Sequence, residues 1–181
     1  MLLNREQSGF LLVDVQDKLT PHVLNAEALV SRCQWLIRLA KELAVPLVVS
    51  EQYPQGLGHT VAPLRAQFAP DESINKVHFS CYREPSFVTH WKTINRQQVV
   101  IAGIETHVCV LQTALDMRQS GLDVFVVIDG VSSRHELDHK YGLKRMKQEG
   151  VHLVTSEMVF FEWVGKAGTV EFKALSQAYL R

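Results

Sequence analysis

Several things are scarce in this sequence. Only three cysteines (Cys33, Cys81 and Cys109) occur in 181 residues, an odd number with no CxxC spacing. That argues against a disulfide framework and for a reducing, cytoplasmic setting. An excess of charge is missing too: 19 Lys and Arg balance 19 Asp and Glu, with no basic or acidic block. Nucleic acid and membrane surfaces are therefore not the expected partners. The opening MLLNREQSGFLLVDVQ lacks the long uncharged apolar run of a signal peptide or membrane span. No Pro/Gly/Ser-rich linker, internal repeat or low-complexity tract divides the chain, so residues 1–181 are expected to form one domain.

What is present is alternation. Apolar runs at 9–16, 45–52, 97–104, 122–129 and 151–156, with a shorter one at 73–80, read as six strands. Segments at 25–44, 85–94, 107–120, 134–149, 156–163 and 168–180 carry helical spacing or helix-ending glycines. The pattern predicts an α/β fold: a three-layer α/β/α Rossmann-like sandwich whose six-stranded, mostly parallel sheet has the order 3-2-1-4-5-6.

Such sheets bind ligands at the carboxyl ends of their strands, so polar residues there come first. They are Asp14 and Gln16, Glu51 and Gln52, Lys76 and His78, then Glu105, Thr106 and Cys109, and Asp129 after the fifth strand. Cys109 opens a helix, where free backbone N–H groups and the helix dipole favour a thiolate; equally, a free cysteine is often only a small buried apolar residue. Asp14 ends an apolar strand, either as a catalytic carboxylate or as one satisfied by backbone N–H groups. Lys76, taken singly, reads as a surface lysine of an edge strand. Together they fit one mechanism. Asp14 takes the thiol proton, Cys109 attacks an acyl carbon, and Lys76 lowers the thiol pKa and holds developing charge. N–H groups at the helix start would form the oxyanion hole.

These residues resemble the isochorismatase-like hydrolases, the cysteine hydrolase superfamily that includes nicotinamidase and N-carbamoylsarcosine amidohydrolase. The resemblance lies in LLVDVQ (11–16), NKVHFSCY (75–82) and VVIAGIETHVCVLQTALDM (99–117), and it extends over essentially the whole chain. It implies a triad of Asp14, Lys76 and Cys109, and a cis peptide at Ile104–Glu105 that turns the Glu105 N–H beside that of Cys109 as the oxyanion hole. Amide cleavage through a thioester would follow. Gln16 and Thr113 also fall on motif positions, as supports of the site and the helix. The loop SEQYPQGLGHT (50–60) and the stretch 155–176 look like a metal-free branch of undefined substrate. Nicotinamidases have Asp-x-His and further histidines after the second strand, where this chain has His59 as its only imidazole. Isochorismatase itself cleaves a vinyl ether without the cysteine, so Cys109 argues against isochorismate as substrate. No metal or other cofactor is expected. A homo-oligomer, dimer or tetramer, is implied, with MVFFEWV (158–164) either a subunit contact or a helix packed on its own sheet.

Around this triad the candidates to face a small-molecule substrate are Gln16, Glu51, Gln52, Tyr53, Phe79 and Tyr82, the last two being equally plausible as core or interface aromatics. Cys33, Trp35, Trp91 and Trp163 read as packing residues, and Cys81 lies near enough to Lys76 in sequence to line a pocket. Two other functions remain open. The fold equally suits a catalytically weak protein that binds a ligand or partner. HELDH (135–139) also matches the H-E-x-x-H zinc signature, which needs both histidines on one helical face and a third ligand. With Ser132 or Ser133 as N-cap, His135 would lie in a fraying first turn. The expected outcome of a bound-metal assay on untagged protein is less than stoichiometric zinc; one zinc per chain would sink the cysteine mechanism.

Overall fold

A computed structural model describes residues 1–180. Six strands, β1 (Ser8–Val13), β2 (Leu47–Gln52), β3 (Ser73–Lys76), β4 (Gln98–Ile104), β5 (Asp123–Ser132) and β6 (His152–Val154), form one sheet. Its order is β3-β2-β1-β4-β5-β6, and every neighbouring pair is parallel. Between the strands run α1 (Ala26–Glu42), the single turns α2 (Pro54–Leu57) and α3 (Ala62–Arg65), α4 (Pro85–Ile94), α5 (Leu111–Gln119) and α6 (Glu136–Gln148), and after β6 come α7 (Ser156–Val164) and α8 (Val170–Tyr179).

Both faces of the sheet are covered, which is why the central strands read as unbroken apolar runs. Along β1, Phe10 and Leu12 join α1, α7 and α8 in one core, with Leu36, Ile37, Phe160 and Trp163. Leu11 and Val13 point the other way, towards Phe87 and Trp91 of α4 and Val110, Ala114 and Met117 at the start and along α5. Alternate residues of each strand thus serve different layers. In MVFFEWV, Val159, Phe160 and Trp163 are buried in the first core, whereas Met158 and Phe161 face outward.

The differences from the expected boundaries have local causes. β1 stops at Val13 because Asp14 turns into the left-handed region, φ 50°. β3 stops at Lys76, before His78, because the chain curls there to bring the His78 and Phe79 carbonyls onto the Lys76 ammonium. β5 does not end at Asp129. It shifts register between Ile101↔Val126 and Gly103↔Val131 and continues to Ser132. Asp129 is thereby expelled from the strand-end cluster; its carboxylate instead receives the N–H and hydroxyl of Ser156 at the start of α7 and pairs with Arg32. With Ser132 inside the strand, neither it nor Ser133 caps α6; that position falls to His135.

Gly103 brings β1 and β4 together where the site begins. Its φ is +120°, and a methyl group there would collide with the backbone of Val13, one residue before Asp14. Gly103→Ala is expected to lose about 3 kcal/mol or more in urea denaturation, from strain and collision combined; wild-type stability would contradict this close approach.

Candidate active site

The carboxyl ends of β1, β2, β3 and β4 converge on one buried cluster. Asp14 is the first residue past β1, its N–H donating to the Ser50 carbonyl of β2 at 3.1 Å. Its carboxylate accepts from the Ser50 hydroxyl at 2.7 Å and from Lys76 Nζ, also at 2.7 Å. Both side chains of this ion pair are almost fully buried, at 0% and 1% exposure. Lys76 Nζ donates further to Gln52 Oε1 at 2.6 Å and to the carbonyls of Phe79 at 3.1 Å and His78 at 3.3 Å. Burial is the largest influence and opposes the ammonium's charge, but the surrounding groups, the Asp14 carboxylate first among them, together outweigh it, and the Lys76 pKa is raised. Lys76 is therefore a caged cation and not the surface lysine of an edge strand.

Cys109 completes the cluster from the other side. It sits in a π-helical turn, Thr106–Val110, that leads into α5, and it is 6% exposed. Burial is the main influence on its thiol and pushes the pKa up; the Asp14 carboxylate adds to this, and the Lys76 ammonium opposes it. The net direction is well above the ordinary value, so the resting group is a neutral thiol. The sequence alone favours a dipole-stabilised thiolate, and the magnitudes explain the difference. A helix terminus contributes about 0.3–1 kcal/mol, less than one pKa unit. Burial moves a pKa by up to about 3–5 units.

The two other thiols are held differently. Cys81 is wholly buried and pushed up to about 11, chiefly by burial. Its N–H donates to Thr113 Oγ1 of α5 at 2.9 Å, which ties the chain after β3 to the helix after Cys109. Cys33 lies on the buried face of α1, its pKa pushed up to about 12 by burial and then by Asp129.

The remaining candidates fall into three groups. Gln16 and Glu51 are occupied in shaping the loop. The Gln16 amide donates to the carbonyls of Gln52 and Gly58 and accepts from the Gln52 N–H, at 2.7–2.9 Å. Glu51 accepts from the Thr60 N–H and hydroxyl and faces His59 Nδ1 at 3.0 Å. Burial works against its charge, yet these partners lower its pKa. With its side-chain amide fully engaged, Gln16 is a tether and not a free substrate contact. Gln52 stands inside the buried cluster, bonded to Lys76 and to the Val77 carbonyl at 2.9 Å. Tyr53 and Phe79 are about half exposed at the rim, while Tyr82 is partly buried and meets Phe87 edge-on.

The Ile104–Glu105 peptide is cis. The Glu105 carboxylate pairs with Arg134 at 3.0 Å and lies 3.7 Å from His107. Thr106 is buried and bonds His139 Nδ1 at 2.9 Å. His78 lies outside the cluster, exposed and paired with Glu84. The HELDH histidines do not share a helical face: His135 precedes α6 in an extended conformation, and His139 is turned to Thr106. Among the described residues no three His, Cys, Asp or Glu side chains are grouped to hold a metal ion. Two participants escaped the sequence reading. Ser50 had a signal, a lone hydroxyl inside the apolar run of β2; the partnership of His139 with Thr106 had none.

An acid, an ammonium and a thiol delivered to one buried cluster by the ends of parallel strands mark an α/β enzyme of the hydrolase class. The chain belongs to the isochorismatase family, whose domain matches residues 8–158. Isochorismatase domain-containing protein 2A of Mus musculus is 37% identical over 174 residues, covering 95% of this chain and 82% of that protein. Among solved structures, one described as MAR1 ribonuclease from Caenorhabditis elegans superposes with a TM-score of 0.92 at 36% identity, covering 100% of this chain and 93% of that one. The Escherichia coli YcaC gene product, described as an octameric hydrolase of unknown specificity, also gives 0.92, at 27% identity over 99% of this chain and 91% of that one.

Because the Cys109 pKa lies above the ordinary 9.0, its thiolate fraction grows about tenfold per pH unit through the neutral range without levelling. Iodoacetamide labelling of Cys109, followed by peptide mass spectrometry, is expected to climb accordingly and to run ahead of the wholly buried Cys33. A plateau at neutral pH would mean a resting thiolate.

Proposed function

We propose that this protein is a metal-independent cysteine hydrolase that cleaves an amide-type C–N bond of a small molecule through a thioester on Cys109. One arrangement carries the reading: a buried ammonium holds the Asp14 carboxylate at 2.7 Å, and that carboxylate helps keep the Cys109 thiol protonated. A thiol with a raised pKa needs a base at the moment of attack, and Asp14 is the acceptor beside it.

In the reaction, Cys109 Sγ attacks the acyl carbon as its proton passes to Asp14. The carbonyl oxygen becomes an oxyanion, received by the N–H groups of Glu105 and Cys109. Collapse breaks the C–N bond, and the amine leaves with the proton held on Asp14. Water then attacks the thioester, Asp14 accepts its proton, and the acid departs as the thiol is restored. Lys76 keeps its charge throughout, orienting Asp14 and balancing the negative charge that builds beside it. Tyr53, Phe79 and Gln52 are the substrate-facing residues, and Glu51 with His59 supports the loop behind them. The assembly is a homo-oligomer in a reducing cytoplasm. Outward-facing Met158 and Phe161, together with Tyr53, Val77 and Phe79 at the rim, are the apolar surface such contacts would use. Among the described residues no helix is long and apolar enough to cross a membrane.

The ribonuclease description of the C. elegans neighbour offers a different substrate class. A phosphodiester calls for exposed cationic contacts, and here the cluster's one ammonium is buried and fully committed. RNA therefore belongs in the assay as a competing substrate, beside amides and esters.

Cys109→Ala is expected to lower turnover by about a thousandfold or more. Asp14→Asn should make the thiol more acidic, since the carboxylate raises its pKa, and yet abolish turnover by removing the proton acceptor. Breaking the buried pair costs about 3–5 kcal/mol, so denaturation curves must accompany the assay. An active, folded Asp14→Asn enzyme refutes the base. RNA cleavage that survives Cys109→Ala refutes the nucleophile. Failure of every substrate, with a tight ligand still bound after Cys109→Ala, would instead favour a binding protein.

A further inference from the structure

The segment that carries the candidate oxyanion hole has its side chains at 105–107 gripped from outside the triad by residues 133–142. His107 Nδ1 meets the wholly buried Ser133 hydroxyl at 3.0 Å. Glu105 is held by Arg134 at 3.0 Å. Thr106, wholly buried, meets His139 Nδ1 at 2.9 Å. One turn further along α6, Gly142 lies so close that a methyl group there would come within 3.1 Å of His107 Cα. Three consecutive residues beside the cis peptide, Glu105, Thr106 and His107, are thus each anchored to one short stretch of chain.

Of these anchors His139 is the one aimed at a buried partner between the two proposed oxyanion donors, one residue after Glu105 and three before Cys109. It is also the half of HELDH that neither zinc nor the triad absorbs. Burial lowers its pKa, so at neutral pH the ring is uncharged and can share one hydrogen bond with the Thr106 hydroxyl. A neutral imidazole on a rigid helix can hold the turn at a fixed angle, and displacement of a catalytic group by about 1 Å costs on the order of 100-fold in rate.

We infer that His139 is a positioning residue: through Thr106 it fixes the main chain of 105–109, so that the Glu105 and Cys109 N–H groups stay aimed at the developing oxyanion. This rests on Cys109 being the nucleophile, and the two claims fail separately.

The test compares two reactions of the same thiol. Acylation by p-nitrophenyl acetate passes through a tetrahedral oxyanion and releases p-nitrophenolate, leaving an acetyl thioester visible in the intact mass. Alkylation by iodoacetamide displaces iodide at carbon and forms no oxyanion. In His139→Ala, acylation of Cys109 is expected to fall about 10- to 100-fold, while alkylation changes less than about twofold and Cys33 stays unlabelled. His139→Asn, which puts an amide where the ring Nδ1 lies, should restore most of the acylation. If both reactions fall together, or if Cys33 becomes labelled, the role is general packing and the inference is overturned. It is overturned also if acylation is unaffected, or if His139→Asn is as slow as His139→Ala. A wild-type protein that is never acylated at Cys109 refutes the nucleophile itself, whatever the variants do.

Discussion

The buried ion pair between Lys76 and Asp14 is the constraint on which the rest of this site depends. Removing two charges from water costs several kcal/mol per ion, and attraction alone does not offset it. The remaining polar valences must therefore be satisfied inside the protein. That requirement accounts for much of the local architecture. Ser50 donates to one carboxylate oxygen, Gln52 accepts from the ammonium, and the chain after β3 bends so that two carbonyls reach the same nitrogen. The residues that meet these demands come from β2 and from the turn that ends β3. The edge of the sheet and the chemistry at its ends are consequently one structure.

Cys109 belongs to this arrangement because of what the pair does to it. Its burial and the neighbouring carboxylate hold the sulfur as a thiol, and the ammonium only partly opposes them. In the proposed reaction, a group kept neutral beside its proton acceptor is quiet until a substrate brings an electrophile. On the far side of the sulfur, the turn from Glu105 to Val110 is fastened to α6 and its preceding loop. The proposed reaction thus draws on both halves of the sheet: β1 to β3 supply acid and cation, while β4 with α5 and α6 supplies the thiol and its surroundings.

Much of this was legible in the residues. Phe10, Leu11, Leu12 and Val13 announce a strand covered on both faces, and the alternation of such runs with helical segments leads to the observed strand order. The polar residues at strand ends led to Asp14, Lys76 and Cys109. The failures share a cause. Asp129 was placed at a strand end because its apolar run stops there, but the backbone continues through a register shift that no periodicity encodes. Ser132 and Ser133 look like helix caps by type, yet β5 takes the first and the His107 contact holds the second. Of the two roles read for Gln16, support of the site agrees with its bonds to the loop, which occupy the amide that a substrate would need.

By itself, then, the sequence determined the layers and the strand order, and it singled out three side chains that the fold brings to one cluster. Each of these follows from local hydrophobic pattern and from residue type at the end of a run. Only the tertiary structure decided the state of those side chains. The thiol is neutral because desolvation outweighs a helix terminus, and the lysine is a caged cation because a distant carboxylate faces it. The second histidine of HELDH is turned to a threonine 33 positions away. Such properties depend on which groups are brought within a few ångströms in low dielectric, and that proximity is set by folding, not by spacing along the chain.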